Sequence, residues 1–177
     1  MAIVTVFGCG NCALNSKDYE VAYNLGLALG KQNISVATGG YLGTMEAVSK
    51  GASESNVQVI GVTTEFYQNR TPNKYINKEI STKTYLERTV KLLEIGDSYI
   101  VLPGNAGTLL EFSAVWALKE KGFFADKAII AIGEQWQEIK QTMAFYSETV
   151  VDAYDLVSNV NDWELAVKLV VSFKKNR

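Results

Sequence analysis

A chain of 177 residues, 47% hydrophobic and 20% charged, is long enough to bury its own core without disulfides or metal, and 2 cysteines exclude a disulfide-rich secreted scaffold. Lys and Arg number 17 against 19 Asp and Glu, and the net charge of −2 argues against coating a nucleic acid. With 0 histidines, Ser–His and Cys–His catalysis and His-ligated metal are excluded, so acid–base chemistry falls to carboxylates, Lys, Tyr or Cys.

In chain order, Met1 to Phe7 has no basic leader and predicts a first strand, Ile3–Phe7, rather than a signal peptide. A helix over Lys17–Lys31, a strand at Ser35–Ala37, a helix over Gly43–Glu54 and a strand at Val57–Val62 follow. Thr63–Thr82 breaks this rhythm: it is polar, contains Arg70, Pro72 and Lys74, and holds at most a short strand around Tyr75–Ile80. A connection of that length reads as a lid, a binding loop, an interface element or a solvated loop. Beyond it come helix Lys83–Ile95, striped by Leu86, Val90 and Leu93, strand Tyr99–Leu102, helix Gly107–Glu120 and strand Ala128–Ile132. Helix Gln135–Tyr146, strand Asp155–Val157 and helix Asp162–Lys174, striped by Trp163, Val167 and Val170, complete the series. The strands lack polar alternation, as strands buried on both faces do. The expected fold is therefore α/β: a single Rossmann-like domain over residues 1–177, with a doubly wound parallel sheet flanked by helices on both faces. No apolar run reaches the ~18–20 residues that span a bilayer, so a cytoplasmic protein without membrane or nucleic-acid partners is expected.

In such a sheet, ligands sit beyond the carboxyl ends of the strands. Three glycine-rich loops fall there: Gly8-Cys9-Gly10-Asn11, Thr38-Gly39-Gly40-Tyr41-Leu42-Gly43-Thr44 and Pro103-Gly104-Asn105-Ala106-Gly107-Thr108. The last two run directly into helices, whose free N–H groups attract an anion, and Thr44 and Thr108 add hydroxyls. A phosphate-bearing small molecule is the expected ligand, held by Gly39, Gly40, Gly43 and Thr44 and by Gly104, Asn105, Ala106, Gly107 and Thr108. Gly8, Cys9 and Gly10 form a loop beside it. Neither loop is a dinucleotide fingerprint or a P-loop.

Glu111 shares a helix face with Thr108, near that anion site; it serves there as a catalytic carboxylate or as a partner of the helix dipole. Arg88, 23 positions earlier, is returned to the same edge of the sheet, where it could bind phosphate, orient Glu111 or pair with Glu87 at the surface. Cys9-Gly10-Asn11-Cys12 reads as part of the ligand loop or as a redox pair, with no further ligands for a metal. Tyr85, Phe112 and Trp116 could stack on a base or pack in the core.

Pro103-Gly104-Asn105-Ala106-Gly107-Thr108-Leu109-Leu110-Glu111 resembles the Pro-Gly-Gly-x-Gly-Thr-x-x-Glu motif of the LOG (Lonely Guy) family, Rossmann-like proteins formerly labelled lysine decarboxylases. Thr38-Gly39-Gly40 through Gly43-Thr44-Met45-Glu46, Glu87-Arg88 and Val59-Ile60-Gly61-Val62 are similar to further family segments, so the resemblance spans nearly the whole chain. It implies a cytokinin riboside 5′-monophosphate phosphoribohydrolase-like hydrolase that releases base and ribose 5-phosphate from a nucleoside monophosphate. Arg88 and Glu111 would be catalytic, Gly104, Gly107 and Thr108 would hold the phosphate, and neither metal nor cofactor would be needed. It also implies a homodimer with the site near the subunit interface. Asn105 replaces a motif glycine, Thr89 and Ala114 depart from frequent family residues, and Gly43-Thr44-Met45-Glu46 leans towards the molybdenum-cofactor carrier proteins. The alternative is accordingly a non-catalytic nucleotide or molybdenum-cofactor-type binding protein.

Overall fold

The computed structural model describes residues 2–145 and 154–175. Seven strands form one sheet: β1 (Ile3–Phe7), β2 (Ser35–Thr38), β3 (Val59–Thr64), β4 (Lys78–Thr82), β5 (Ser98–Val101), β6 (Ala128–Ile132) and β7 (Ser158–Val160). Their order is β4-β3-β2-β1-β5-β6-β7, and every neighbouring pair is parallel. Among the described residues six helices join them: α1 (Lys17–Lys31), α2 (Thr44–Ser53), α3 (Tyr85–Ile95), α4 (Ala106–Glu120), α5 (Glu134–Phe145) and α6 (Trp163–Lys175).

Residue alternation along the strands distributes side chains between two cores. Val4, Val6, Ile100 and Leu102 pack with Leu25 and Leu29 of α1, Val48 of α2 and Val167 of α6. Phe7, Tyr99 and Val101 point the other way, towards Leu92 of α3, Phe112 and Val115 of α4 and Trp136 of α5. Because both faces are covered, β2, β3 and β5 are buried along their whole length, which is why they lack the polar alternation of a half-exposed sheet. The expected Rossmann-like α/β fold is the one observed.

Four elements differ from expectation. β3 ends at Thr64, two residues later than predicted, because Thr63 and Thr64 still pair with Ser81 and Thr82 of β4. β4 itself begins at Lys78 and is an exposed edge strand whose Lys78 and Glu79 discourage further strand addition. The strand expected at Asp155–Val157 lies instead at Ser158–Val160, with Tyr154 and Asp155 helical. As an edge strand with only one neighbour, β7 needs no continuous apolar run, so its sequence carried little signal. Finally, two of the three stripe residues of α3 face outward, Leu86 being 66% and Val90 52% exposed, while Leu93 is buried with Arg88, Thr89 and Leu92. Residue 146, assigned to the fifth predicted helix, lies outside the described residues.

β1 is flanked by β2 on one side and β5 on the other, and the chain leaves it in opposite directions. The loops following β1 and β5 therefore separate, opening a crevice at the carboxyl edge.

Candidate active site

The crevice holds a cavity of about 240 Å³ whose walls include Gly8, Cys9, Gly10, Gly39, Arg88 and Glu111. Asn105, Gly107 and Thr108 line it from the start of α4. Gly40, Gly43, Thr44, Gly104 and Ala106, all expected at the ligand, are not among its lining residues. The reason is clearest at α2. Gly43 has φ +71°, and a Cβ there would stand 2.3 Å from the Cys9 carbonyl oxygen. That oxygen accepts hydrogen bonds from the Thr44 backbone N–H (2.9 Å) and hydroxyl (3.1 Å). The start of α2 thus holds the Cys9 loop rather than an open anion position. Gly104 is similarly engaged, its N–H and carbonyl both bonded to the Gln135 side chain.

The start of α4 is different. Asn105 is its N-cap, yet its side chain makes no capping bond, so the first-turn N–H groups of Gly107 and Thr108, two residues that line the cavity, have no side-chain cap. One turn on, Glu111 is 6% exposed and faces the same space.

Arg88 reaches it from α3. Thr84 and Glu87 form a reciprocal capping box that starts this helix, so Glu87 is engaged at the cap and Arg88, 4% exposed, turns inward. Its Nε donates to the Val62 carbonyl at 2.8 Å and its Nη1 stands 3.7 Å from Glu111 Oε1. The rings of Tyr41 and Tyr85 lie 5.7 and 5.8 Å from its guanidinium carbon. Burial pushes the Glu111 carboxyl up to about 7, and the Arg88 charge only partly opposes this. The Tyr85 hydroxyl is also raised, first by burial and then by the charge of Glu111.

Gly39 exists for this guanidinium: a Cβ there would lie 1.5 Å from Arg88 Nη2 and 2.6 Å from Met45 Sδ. Gly39→Ala should cost about 1–3 kcal/mol by overpacking and displace Arg88, slowing any reaction that uses it by roughly 10²-fold. Thermal melts and turnover of the purified variant would check this; an unchanged rate would detach Arg88 from the chemistry.

Among the cavity residues that sequence reasoning did not assign to the ligand are Tyr41, Met45, Tyr67 and Arg70. Tyr41 stands inside a glycine-rich loop, which was signal enough. Tyr67 and Arg70 sit on the long β3–β4 connection, where no periodicity marks them. Of the aromatics considered for stacking, Tyr85 lines the cavity. Phe112 is fully buried, stacked on Trp116 and edge-on to Trp136, and belongs to the core. Cys9 and Cys12 are free thiols; Cys9 lines the cavity, whereas Cys12 packs against the α1-side core.

Fold and cavity together define a Rossmann-like α/β protein with a buried arginine–glutamate pair at its topological switch point. The chain belongs to the SLOG cluster4 family, whose profile matches residues 1–159, and the LOG-like affinity read from the Pro103–Glu111 motif holds. It is 26% identical over 148 residues to a cytokinin riboside 5′-monophosphate phosphoribohydrolase of Mycobacterium marinum, covering 82% of this chain and 78% of that protein. It is 29% identical over 110 residues to the pyrimidine/purine nucleotide 5′-monophosphate nucleosidase of Escherichia coli, covering 58% of this chain but only 24% of that longer protein. Among solved structures, the molybdenum cofactor binding protein of Rippkaea orientalis superposes with a TM-score of 0.78 at 22% identity, over 97% of this chain and 96% of that one. No helix among the described residues is long and apolar enough to cross a membrane.

Proposed function

We propose that this protein hydrolyses the N-glycosidic bond of a nucleoside 5′-monophosphate, yielding free base and ribose 5-phosphate. The observation that carries the reading is the buried Arg88–Glu111 pair set one helical turn from the open N-terminus of α4, in one cavity. The names of the relatives from Mycobacterium marinum and Escherichia coli support it.

In this reading the N–H groups at Gly107 and Thr108, with the Thr108 hydroxyl, bind the 5′-phosphate. That anchor places the ribose beneath Glu111. As the bond from C1′ to the base nitrogen breaks, positive charge grows on the ribose, and the Glu111 carboxylate stabilises it. The same carboxylate takes a proton from the attacking water, whose oxygen bonds to C1′, and passes that proton to the departing base nitrogen, which restores the Glu111 carboxylate. Arg88 orients the buried carboxylate and favours its ionised form against the effect of burial. None of these steps calls for a metal or redox cofactor.

The test is incubation with AMP, GMP, CMP and an N6-prenyl AMP, followed by chromatography for free base, with an Arg88→Ala, Glu111→Gln control. Release lost in the control supports the reading; no release from any of them by folded protein defeats it. A second reading, a carrier that binds a nucleotide or a molybdenum-cofactor-type ligand and returns it unchanged, draws on Asn105 in the phosphate loop and on the likeness to the Rippkaea protein. Thermal stabilisation by such a ligand without turnover would favour it.

The proposal includes a homodimer formed through the outward face of α3, where Leu86 and Val90 are exposed. Leu86→Glu with Val90→Glu should then halve the mass measured by light scattering. A monomeric wild type would rule this arrangement out.

A further inference from the structure

The cavity has one cationic group that the proposed reaction leaves unused. Arg70 lies on the β3–β4 connection, exposed, with its guanidinium carbon 4.4 Å from the centroid of the Tyr67 ring. No ion pair to Arg70 occurs among the described residues, whereas Arg88 is matched by Glu111. A guanidinium lying over a ring keeps its N–H donors in its own plane, where they remain available to a second, bidentate partner. Tyr67 is itself braced, edge-on against Tyr41 at 5.5 Å and Tyr85 at 6.1 Å, so the Arg70–Tyr67 stack forms a continuous wall with the catalytic side of the cavity.

The placement of this wall within the sheet indicates what meets it. The α4 start follows β5, and Arg70 follows β3; in the order β3-β2-β1-β5 these ends are three strand spacings apart, about 14 Å. Arg88 and Glu111 stand between them, the former bonded to Val62 of β3 and the latter carried on α4. A nucleotide with its phosphate on α4 and its C1′ at Glu111 therefore extends its base towards Tyr67 and Arg70.

Resting on the reaction proposed above, we infer that Arg70 selects 6-oxopurine nucleotides. Guanine and hypoxanthine present two adjacent acceptors, O6 and N7, on the edge remote from the ribose, which match the arginine fork. Adenine places an amino donor beside N7 and meets the fork donor to donor. Cytosine carries adjacent acceptors too, but one of them flanks the glycosidic nitrogen, close to the ribose and short of Arg70.

The test measures binding of GMP, IMP, AMP and CMP to the Glu111→Gln protein by calorimetry, with wild-type turnover in parallel. The expected result is about ten- to a hundredfold tighter binding of GMP and IMP than of AMP and CMP. That ratio should collapse to within a few-fold in Arg70→Gln and equally in Arg70→Lys, which keeps the charge but loses the fork. Arg70 is exposed, so neither change threatens folding. Equal or tighter binding of AMP or CMP overturns the inference, as does a preference that survives in either variant. Base release at equal rates from all four nucleotides defeats this inference alone. Selective binding of GMP without release defeats the hydrolase reading and leaves this one standing, and failure to bind any nucleotide defeats both.

Discussion

Replacing Glu111 by Gln should reduce base release by a factor on the order of 10²–10⁴, the usual contribution of a positioned acid–base group, while nucleotide binding persists. The same change should alter stability in a pH-dependent way. The folded-state carboxyl is raised to about 7 from 4.5, so the folded chain holds a proton that the unfolded chain releases earlier. Stability is therefore undiminished below about pH 4.5, falls as pH rises through the window up to 7, and is lowest above it. Gln does not titrate. Its advantage over Glu should grow by roughly 2–3 kcal/mol between pH 5 and pH 8, or about 5–10 °C in Tm for a chain of this size. Wild-type turnover should fall about tenfold per unit below pH 7, since the ionised form is the active one. A variant with a wild-type rate would remove Glu111 from the mechanism, and parallel melting curves across pH would show that its carboxyl is not raised. The site thus sacrifices stability at neutral pH to keep a carboxylate where water is scarce.

Arg88 carries the second large expectation. Arg88→Met removes the cation that opposes the burial effect, so Glu111 must stay protonated to still higher pH. Turnover at pH 7 should be lost to the same degree as in Glu111→Gln, with any residual rate rising on the alkaline side. Removing one member of a buried ion pair typically costs 3–5 kcal/mol; here protonation of Glu111 relieves part of that cost at pH 5, so the loss should be larger at pH 8. Arg88→Lys separates charge from geometry. It should leave the pH midpoint near that of wild type but lower the rate, because an ammonium cannot reproduce the Nε bond to Val62 and the contacts with Tyr41 and Tyr85 together. If the Lys variant instead shifts its midpoint as Met does, Arg88 acts through shape rather than charge.

The sheet was legible because its inner strands are buried on both sides and so spell out Val and Ile runs; β4 and β7, at the edges, do not. Helix α3 shows why periodicity alone misleads. Leu86, Val90 and Leu93 lie on a regular stripe, yet the buried face carries Arg88 and Thr89 beside Leu92 and Leu93, because the cavity requires a cation there. At the site, Arg88 and Glu111 could be paired by following the chain up and down the sheet. The glycine loops were harder: spacing shows that a close approach exists but not to what, and here Gly39 makes room for the Arg88 guanidinium and Gly43 for the Cys9 carbonyl. Tyr67 and Arg70 escaped because an irregular connection places its side chains by tertiary hydrogen bonds and ring contacts, which leave no periodicity in the sequence.

Those bonds have a consequence for how the protein can diversify. The β3–β4 connection hangs from two asparagines: Asn73, whose N–H donates to the Gly40 carbonyl and whose amide donates to that of Tyr41, and Asn77, which bonds to Val57 and Val59. Arg88 takes no part in this suspension, being fixed by Val62 and by its own helix. Apart from Tyr67, whose ring rests on Tyr41 and Tyr85, residues 65–72 can therefore exchange side chains while the arginine–glutamate pair stays in register. On the proposed reading, the choice of base and the cleavage of the bond would sit on separable pieces of chain, and a lineage would acquire a new substrate by rewriting one loop.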